Sequence, residues 1–257
     1  YPIPMMVWGR YTFHCLMMLI FLAPSMRFQL VATTRPAAQI LRALMLTGTT
    51  GFSMAGFSLM PLAESTAFLF VTPLVVVILS HWLLKESITR GHWIAVLAGF
   101  GGALLIARPG GALNAEGIVW MTLAAACYAI YQIQTRQLSP TENTLTMLFY
   151  TALVGTVAMT LAAPLYWGGP TPGWIDAALI ASLGIYGGTG HLMLTRAFRY
   201  AAASFLSPFL YGQLIWAGLL GWMFYDHLPD LLSIAGMVVI AGSSLSIALG
   251  ERLRRRA

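Results

Sequence analysis

The residues of this chain best suited to chemistry are ones that bind rather than react. Tyr128, Tyr131 and Gln132 stand at i, i+3 and i+4, the spacing that puts side chains on one face of a helix. Two rings and an amide on one face can stack on a planar group and hydrogen-bond its edge. They can equally serve helix-to-helix hydrogen bonds or an interfacial aromatic belt. His191 lies on a stripe with Gly184, Gly187, Gly188 and Thr195, where missing side chains let a backbone or a ligand approach; a packed, hydrogen-bonded histidine fits the same pattern. Arg10 precedes His14 by one turn, with Trp8 and Tyr11 close by, and both ligand contact and simple snorkelling are open to it. Pro208 removes an amide and frees a carbonyl, and Tyr211, Gln213 and Trp216 follow within about two turns. Pro73 sits comparably earlier in the chain, and helices broken at matching places are a usual pointer to a transport site.

Reactive chemistry has no such support. The sequence holds no H-E-x-x-H, G-x-S-x-G, C-x-x-C or glycine-rich phosphate loop, the patterns that would place a metal, nucleophile or phosphate. The stretch "DHLPD" offers one His and two Asp in a short turn, unspecific as a metal site. Cys15 and Cys127 are far apart in apolar surroundings and suggest neither disulfide nor metal. All eight acidic residues fall in loops or at the ends of apolar runs, so any proton coupling would fall to His14 or His191; facilitation or exchange stays open. Glu64 either caps a helix N-terminus or titrates. The expectation is a non-enzyme without cofactor or metal, set against two rivals, an integral membrane enzyme and a membrane protein that transports nothing.

The elements that must hold these residues follow from composition. Of 257 residues, 58% are hydrophobic and 9% charged, against roughly 45–50% and 25% in soluble domains. From Ser65 to Leu84 the chain has no residue that must be charged, and at about 1.5 Å per residue such a run crosses the roughly 30 Å of bilayer hydrocarbon. Comparable runs cover about 3–24, 42–60, 65–84, 92–107, 116–135, 144–166, 174–195, 203–225 and 231–249. Backbone amides in hydrocarbon need internal partners, and continuous rather than alternating apolar runs select helices over a barrel. The fold expected is all-α, a polytopic membrane bundle of nine transmembrane helices without a soluble domain. No basic leader marks a cleavable signal peptide. The net charge of +6 is scattered between runs and clusters only in "ERLRRRA", which speaks for membrane orientation rather than nucleic acid.

Basic residues in short loops stay cytoplasmic. One set of alternate loops holds Arg27, Arg35, Arg42, Lys85, Arg90, Arg136, Arg196, Arg199 and the tail's Arg252, Arg254, Arg255 and Arg256; the other holds Arg10 and Arg108. The tail is therefore expected inside, with Tyr1, Glu64, Glu116, Asp176, Asp226 and Asp230 toward the outer face. Sliding the chain by 140 residues aligns Gly48-Thr49 with Gly188-Thr189, Trp82 with Trp222 and Ile94-Ala95 with Ile234-Ala235. The expectation is two repeats, 1–110 with four helices and 114–257 with five, the first lacking an N-terminal helix of a ten-helix parent. Five helices per repeat, an odd number, make the repeats inverted. The basic loop at Lys85 and Arg90 against the acidic "YDHLPD" of its mate agrees with inversion.

The stretches "MPLAESTAFLFVTPLVVVILSHWLLKE", "WIAVLAGFGGALLIARPGG", "YAIYQIQTRQLS", "LFYTALVG" and "RAFRYAAASFLSPFLYGQLIWAGLLGWMFYDHLPD" resemble the EamA-type proteins of the drug/metabolite transporter superfamily, over about residues 5–250. The resemblance implies a ten-helix bacterial inner-membrane carrier that moves small metabolites such as amino acids by alternating access around a central cavity, with export the expected direction. Two departures stand out: the first helix is absent, and Asp226 stands where the family commonly has Glu. The expected cavity residues are Arg10, His14, Tyr128, Tyr131, Gln132, His191, Tyr211, Gln213 and Trp216, a lining suited to a small zwitterionic or ring-bearing metabolite. The glycines at 99, 101, 102, 218 and 221 are expected to permit close packing instead. The partners expected are a small-molecule substrate and the lipid bilayer, with a homodimer left open.

Overall fold

Prolines and short polar residues cut the apolar runs into helices. In the computed structural model of the chain, structure is described for residues 1–60, 62–108, 114–166, 168, 170–225 and 230–254; the side chains at 3, 62–64, 67, 165, 166, 217, 221, 225 and 251–254 lie outside that description. The expectations placed on the side chains of Glu64 and Gly221, on "DHLPD" up to Pro229, and on the arginines of the tail therefore fall outside it. The helices are α1 (Ile3–Met26), α2 (Pro36–Leu59), α3 (Leu62–Leu69), α4 (Thr72–Leu84), α5 (Arg90–Ala107), α6 (Ala115–Leu138), α7 (Thr144–Tyr166), α8 (Trp174–Tyr200), α9 (Ala203–Leu206), α10 (Gly212–Tyr225) and α11 (Leu231–Arg254), with 3-10 turns at Arg27–Leu30 and Ser207–Tyr211. No strand occurs among the described residues.

Local chemistry explains the boundaries. Pro36 opens α2, where its missing N–H is an orphan in any case. Asn114 Oδ1 accepts the amides of Glu116 and Gly117, Asn143 Oδ1 that of Leu145 and Asp230 Oδ1 that of Ser233, so three helices start on a side-chain cap. Cations end three: Arg27, Lys85 and Arg108 take positive φ of 48°, 54° and 45° at C-termini, where the helix dipole is negative. Among the described residues, six stretches are long and apolar enough to cross a membrane, namely Pro4–Leu30, Arg90–Ala107, Thr144–Pro164, Trp174–Tyr200, Ala203–Phe224 and Leu231–Gly250.

Two apolar runs are not single helices. The run 65–84 divides at Phe70-Val71, just before Pro73, into α3 and α4; the run 203–225 divides around Pro208 into α9, a 3-10 turn and α10. A third difference is of start rather than continuity. The run placed at 42 belongs to a helix that begins at Pro36, so Arg42 is inside α2 and not in a loop.

The chain forms two compact units, each drawn from both halves of the sequence: unit 1 is 1–54 with 134–200, unit 2 is 55–133 with 201–257. In unit 1, α1 packs on α7 and α8 around Cys15, Met18, Leu30, Leu148, Phe149 and Ala152. Thr146 and Tyr150 of α7 donate to the carbonyls of Gln29 and Val31 and pin the segment after α1. In unit 2, α5 packs on α11 around Phe70, Val77, Val96, Ala103, Tyr211 and Ile240. A Cβ on Gly102 would lie 2.8 Å from the Gly236 carbonyl, and one on Gly236 2.6 Å from that of Gly102, so the two backbones touch only because both residues are glycine.

Candidate functional site

Unit 1 gathers Arg10, His14 and His191. Glycines at 184, 187 and 188 open one side of α8, and α1 fills it: a Cβ on Gly184 would stand 2.9 Å from the Arg10 carbonyl, and one on Gly188 2.9 Å from His14 Nε2. The glycine stripe read from the sequence is thus occupied by α1. The Arg10 guanidinium carbon lies 4.9 Å from the centre of the Tyr11 ring, while its methylenes run past Gly187. Arg10, His14 and His191 are all half-buried, and the groups whose fields reach the His191 imidazole are Arg10, Arg42 and His14.

Arg42 was missed by the sequence reading. It is fully buried, with Nη1 donating to Thr135 Oγ1 at 3.2 Å and Nη2 to Thr151 Oγ1 at 2.7 Å and to the Met147 carbonyl. One turn earlier, Gln39 reaches the Glu142 carboxylate at 3.3 Å, and Thr33 and Thr34 donate to it at 2.7 and 2.8 Å. Burial works against the Glu142 charge, but these donors outweigh it and hold the carboxyl below its ordinary range, as hydrogen bonds to the charged form do. The readable signal was Pro36 after Thr33-Thr34-Arg35: a helix starting there places Gln39 and Arg42 at i and i+3, on one face.

Unit 2 holds the remaining candidates in two separate settings. Along α6 the rings of Tyr128 and Tyr131 lie parallel, 6.0 Å between centres and 8° apart. Beside them Gln132 is fully buried, and among the described residues neither its amide nitrogen nor its oxygen has a hydrogen-bond partner. An unsatisfied buried amide costs about 1–3 kcal/mol.

Tyr211 is placed otherwise. Its hydroxyl donates to the Phe70 carbonyl at 3.0 Å, its ring meets that of Phe70 at 6.2 Å, and it presses on Gly99, whose Cβ would come within 2.5 Å. Phe70 sits in the break before Pro73 and Tyr211 in the turn after Pro208, so the two interrupted helices meet each other. Gln213 is exposed, and Trp216, 67% exposed, lines an apolar cleft of about 600 Å³ with Leu219, Leu220, Trp222 and Met223.

Unit 2 also carries polar clamps at helix ends. Glu86 accepts the amides of Ala203 and Ser204 and the Ser204 hydroxyl, capping α9 with a carboxylate from the segment after α4. Arg108 and Asp230 pair at 2.6 Å, and the hydrogen bond from Arg108 holds the Asp230 carboxyl down at about 2. No group of three or more His, Cys, Asp or Glu among the described residues is placed to hold a metal.

Residues 1–108 and 115–249 match the EamA-like transporter family. The S-adenosylmethionine uptake transporter of Rickettsia bellii (strain RML369-C) is 30% identical over 221 residues, 86% of this chain and 75% of that protein. The pseudopaline exporter CntI of Pseudomonas aeruginosa (strain UCBPP-PA14) is 28% identical over 191 residues, 73% of this chain and 66% of that one. A solved crystal structure superposes with a TM-score of 0.87 over 98% of this chain and 90% of its own, at 18% identity, a likeness of fold.

Proposed function

The chain belongs to the EamA-like transporter family, and from that premise we propose that it moves a small amino-acid-like metabolite across a bacterial inner membrane by alternating access. In this reading nine segments cross the bilayer, the repeats 1–110 and 114–257 are inverted, and the C-terminus is cytoplasmic, in keeping with the basic residues gathered in or beside one set of connections, from which Arg42, buried inside α2, is excluded. The relatives' names include an uptake carrier and an exporter, and both concern transport rather than catalysis. Export is the direction proposed for this chain.

The observation that carries the reading is Gln132. A buried amide with neither end paired among the described residues, beside two parallel tyrosine rings on α6, offers a donor, an acceptor and a stacking surface to a planar or zwitterionic cargo. Flux of labelled amino acids and S-adenosylmethionine through liposomes containing the protein tests this. Tyr131→Ala and Gln132→Leu are expected to lower flux at least about tenfold, the worth of one good polar contact. Unchanged flux in both variants removes the pair from the binding site, and accumulation against the exporting direction in oriented vesicles reverses the proposed direction.

A further inference from the structure

We propose that Arg10, His14 and His191 of unit 1 form a subsite for the carboxylate of the transported compound. The proposal rests on the transport reading above and adds to it the charge of the cargo.

Placement is the first argument. The open side of α8 at Gly184, Gly187 and Gly188 brings Arg10 and His14 of α1 against that helix, one turn before His191. A side chain at 184 or 188 would push them off. One guanidinium and two imidazoles, all able to donate hydrogen bonds, therefore lie along the seam between α1 and α8.

Charge balance is the second. Unit 1 contains only two acidic residues, Glu142 and Asp176. Glu142 is taken by Thr33, Thr34 and Gln39, and Asp176 accepts the Tyr1 hydroxyl at an exposed position. Neither carboxylate of the unit neutralises the patch.

Arg10 supplies the third argument. A guanidinium within a membrane helix costs about 2.5–3.5 kcal/mol on insertion scales, and it is normally met by an acceptor. Among the described residues no hydrogen-bond acceptor meets that of Arg10; its described contacts are the Tyr11 ring and the backbone region of Gly187. Five N–H donors in a planar fork match the two oxygens of a carboxylate better than any single-point acceptor.

Matched pairs of compounds test this in liposomes containing the full chain. The twenty amino acids, S-adenosylmethionine and the corresponding amides, which keep the amine and side chain but lose the carboxylate, compete with the best labelled substrate. In the unmodified protein the acids are expected to compete at least about tenfold better than their amides. Arg10→Gln is expected to bring each pair within about twofold, its folding checked separately by thermal unfolding in detergent; Arg10→Lys recovers part of the preference, and His14→Gln provides an independent second loss. Acids and amides that compete equally, with flux present, overturn this proposal alone. Inorganic phosphate or sulfate competing as well as the acids overturns the carboxylate assignment. Absence of flux for every compound overturns the transport reading together with it.

Discussion

Unit 1 and unit 2 each hold seven basic residues, but the first has two acids and the second six. Where unit 2 places described charges, they sit at helix ends, either paired as Arg108 with Asp230 or capping as Glu86 does. Its interior is held by the Gly102–Gly236 contact and by Tyr211 on the Phe70 carbonyl. Unit 1 instead carries two arginines well inside their helices, Arg10 and Arg42, besides Arg136, Arg196 and Arg199 near helix C-termini. The comparison teaches that the two units differ in where their charge lies rather than in how many cations they hold: at depth in unit 1, at helix ends in unit 2, whose unpartnered buried side chain among the described residues is the neutral amide of Gln132.

Arg42 is where this contrast is most easily broken. Arg42→Ala removes three hydrogen bonds and leaves a cavity, and is expected to lower stability by about 2–4 kcal/mol in denaturant unfolding of the detergent-solubilised protein. Arg42→Lys is not expected to restore it, because a single ammonium cannot span Thr135 and Thr151 as a fork does. A cost under about 1 kcal/mol would mean that the buried charge of unit 1 is structurally idle.

Next in size is Glu142→Gln, expected to cost about 1–3 kcal/mol through the acceptor lost to Thr33 and Thr34. The folded carboxyl titrates below its ordinary range, so its contribution is complete above the ordinary glutamate value of about 4.3 and fades as the pH falls through the lower folded value. Unfolding measured from neutral pH downward should show that decline in the parent and a flatter profile in the variant. The smallest effect belongs to unit 2: Asp230→Asn breaks an exposed pair, solvent screens such pairs, and the melting temperature should not move measurably.

Much of the fold was readable because hydrocarbon length and backbone satisfaction leave few choices for long uncharged runs. What composition cannot show is continuity. Residues 65–84 are apolar throughout, yet the helix stops at Leu69 and restarts at Thr72; only Pro73 announces it. Arg42 was misplaced for a related reason: a hydropathy reading starts a helix after the last cation, whereas hydrogen bonding starts this one at Pro36 and carries Arg42 inward. Among the site residues, the helical spacing of Tyr128, Tyr131 and Gln132 was enough to group them. No local pattern shows that Tyr211 turns its hydroxyl to a carbonyl 141 positions away, or that Trp216 looks outward into an apolar cleft, because both depend on contacts set by the assembled unit.

The meeting of Gly102 with Gly236 has a further consequence for handling the protein. Two main chains held by short-range attraction draw nothing from the cohesion of water, so their adhesion should be indifferent to whether lipid, micelle or amphipol surrounds them. A single added methyl group is the whole margin by which that join fails.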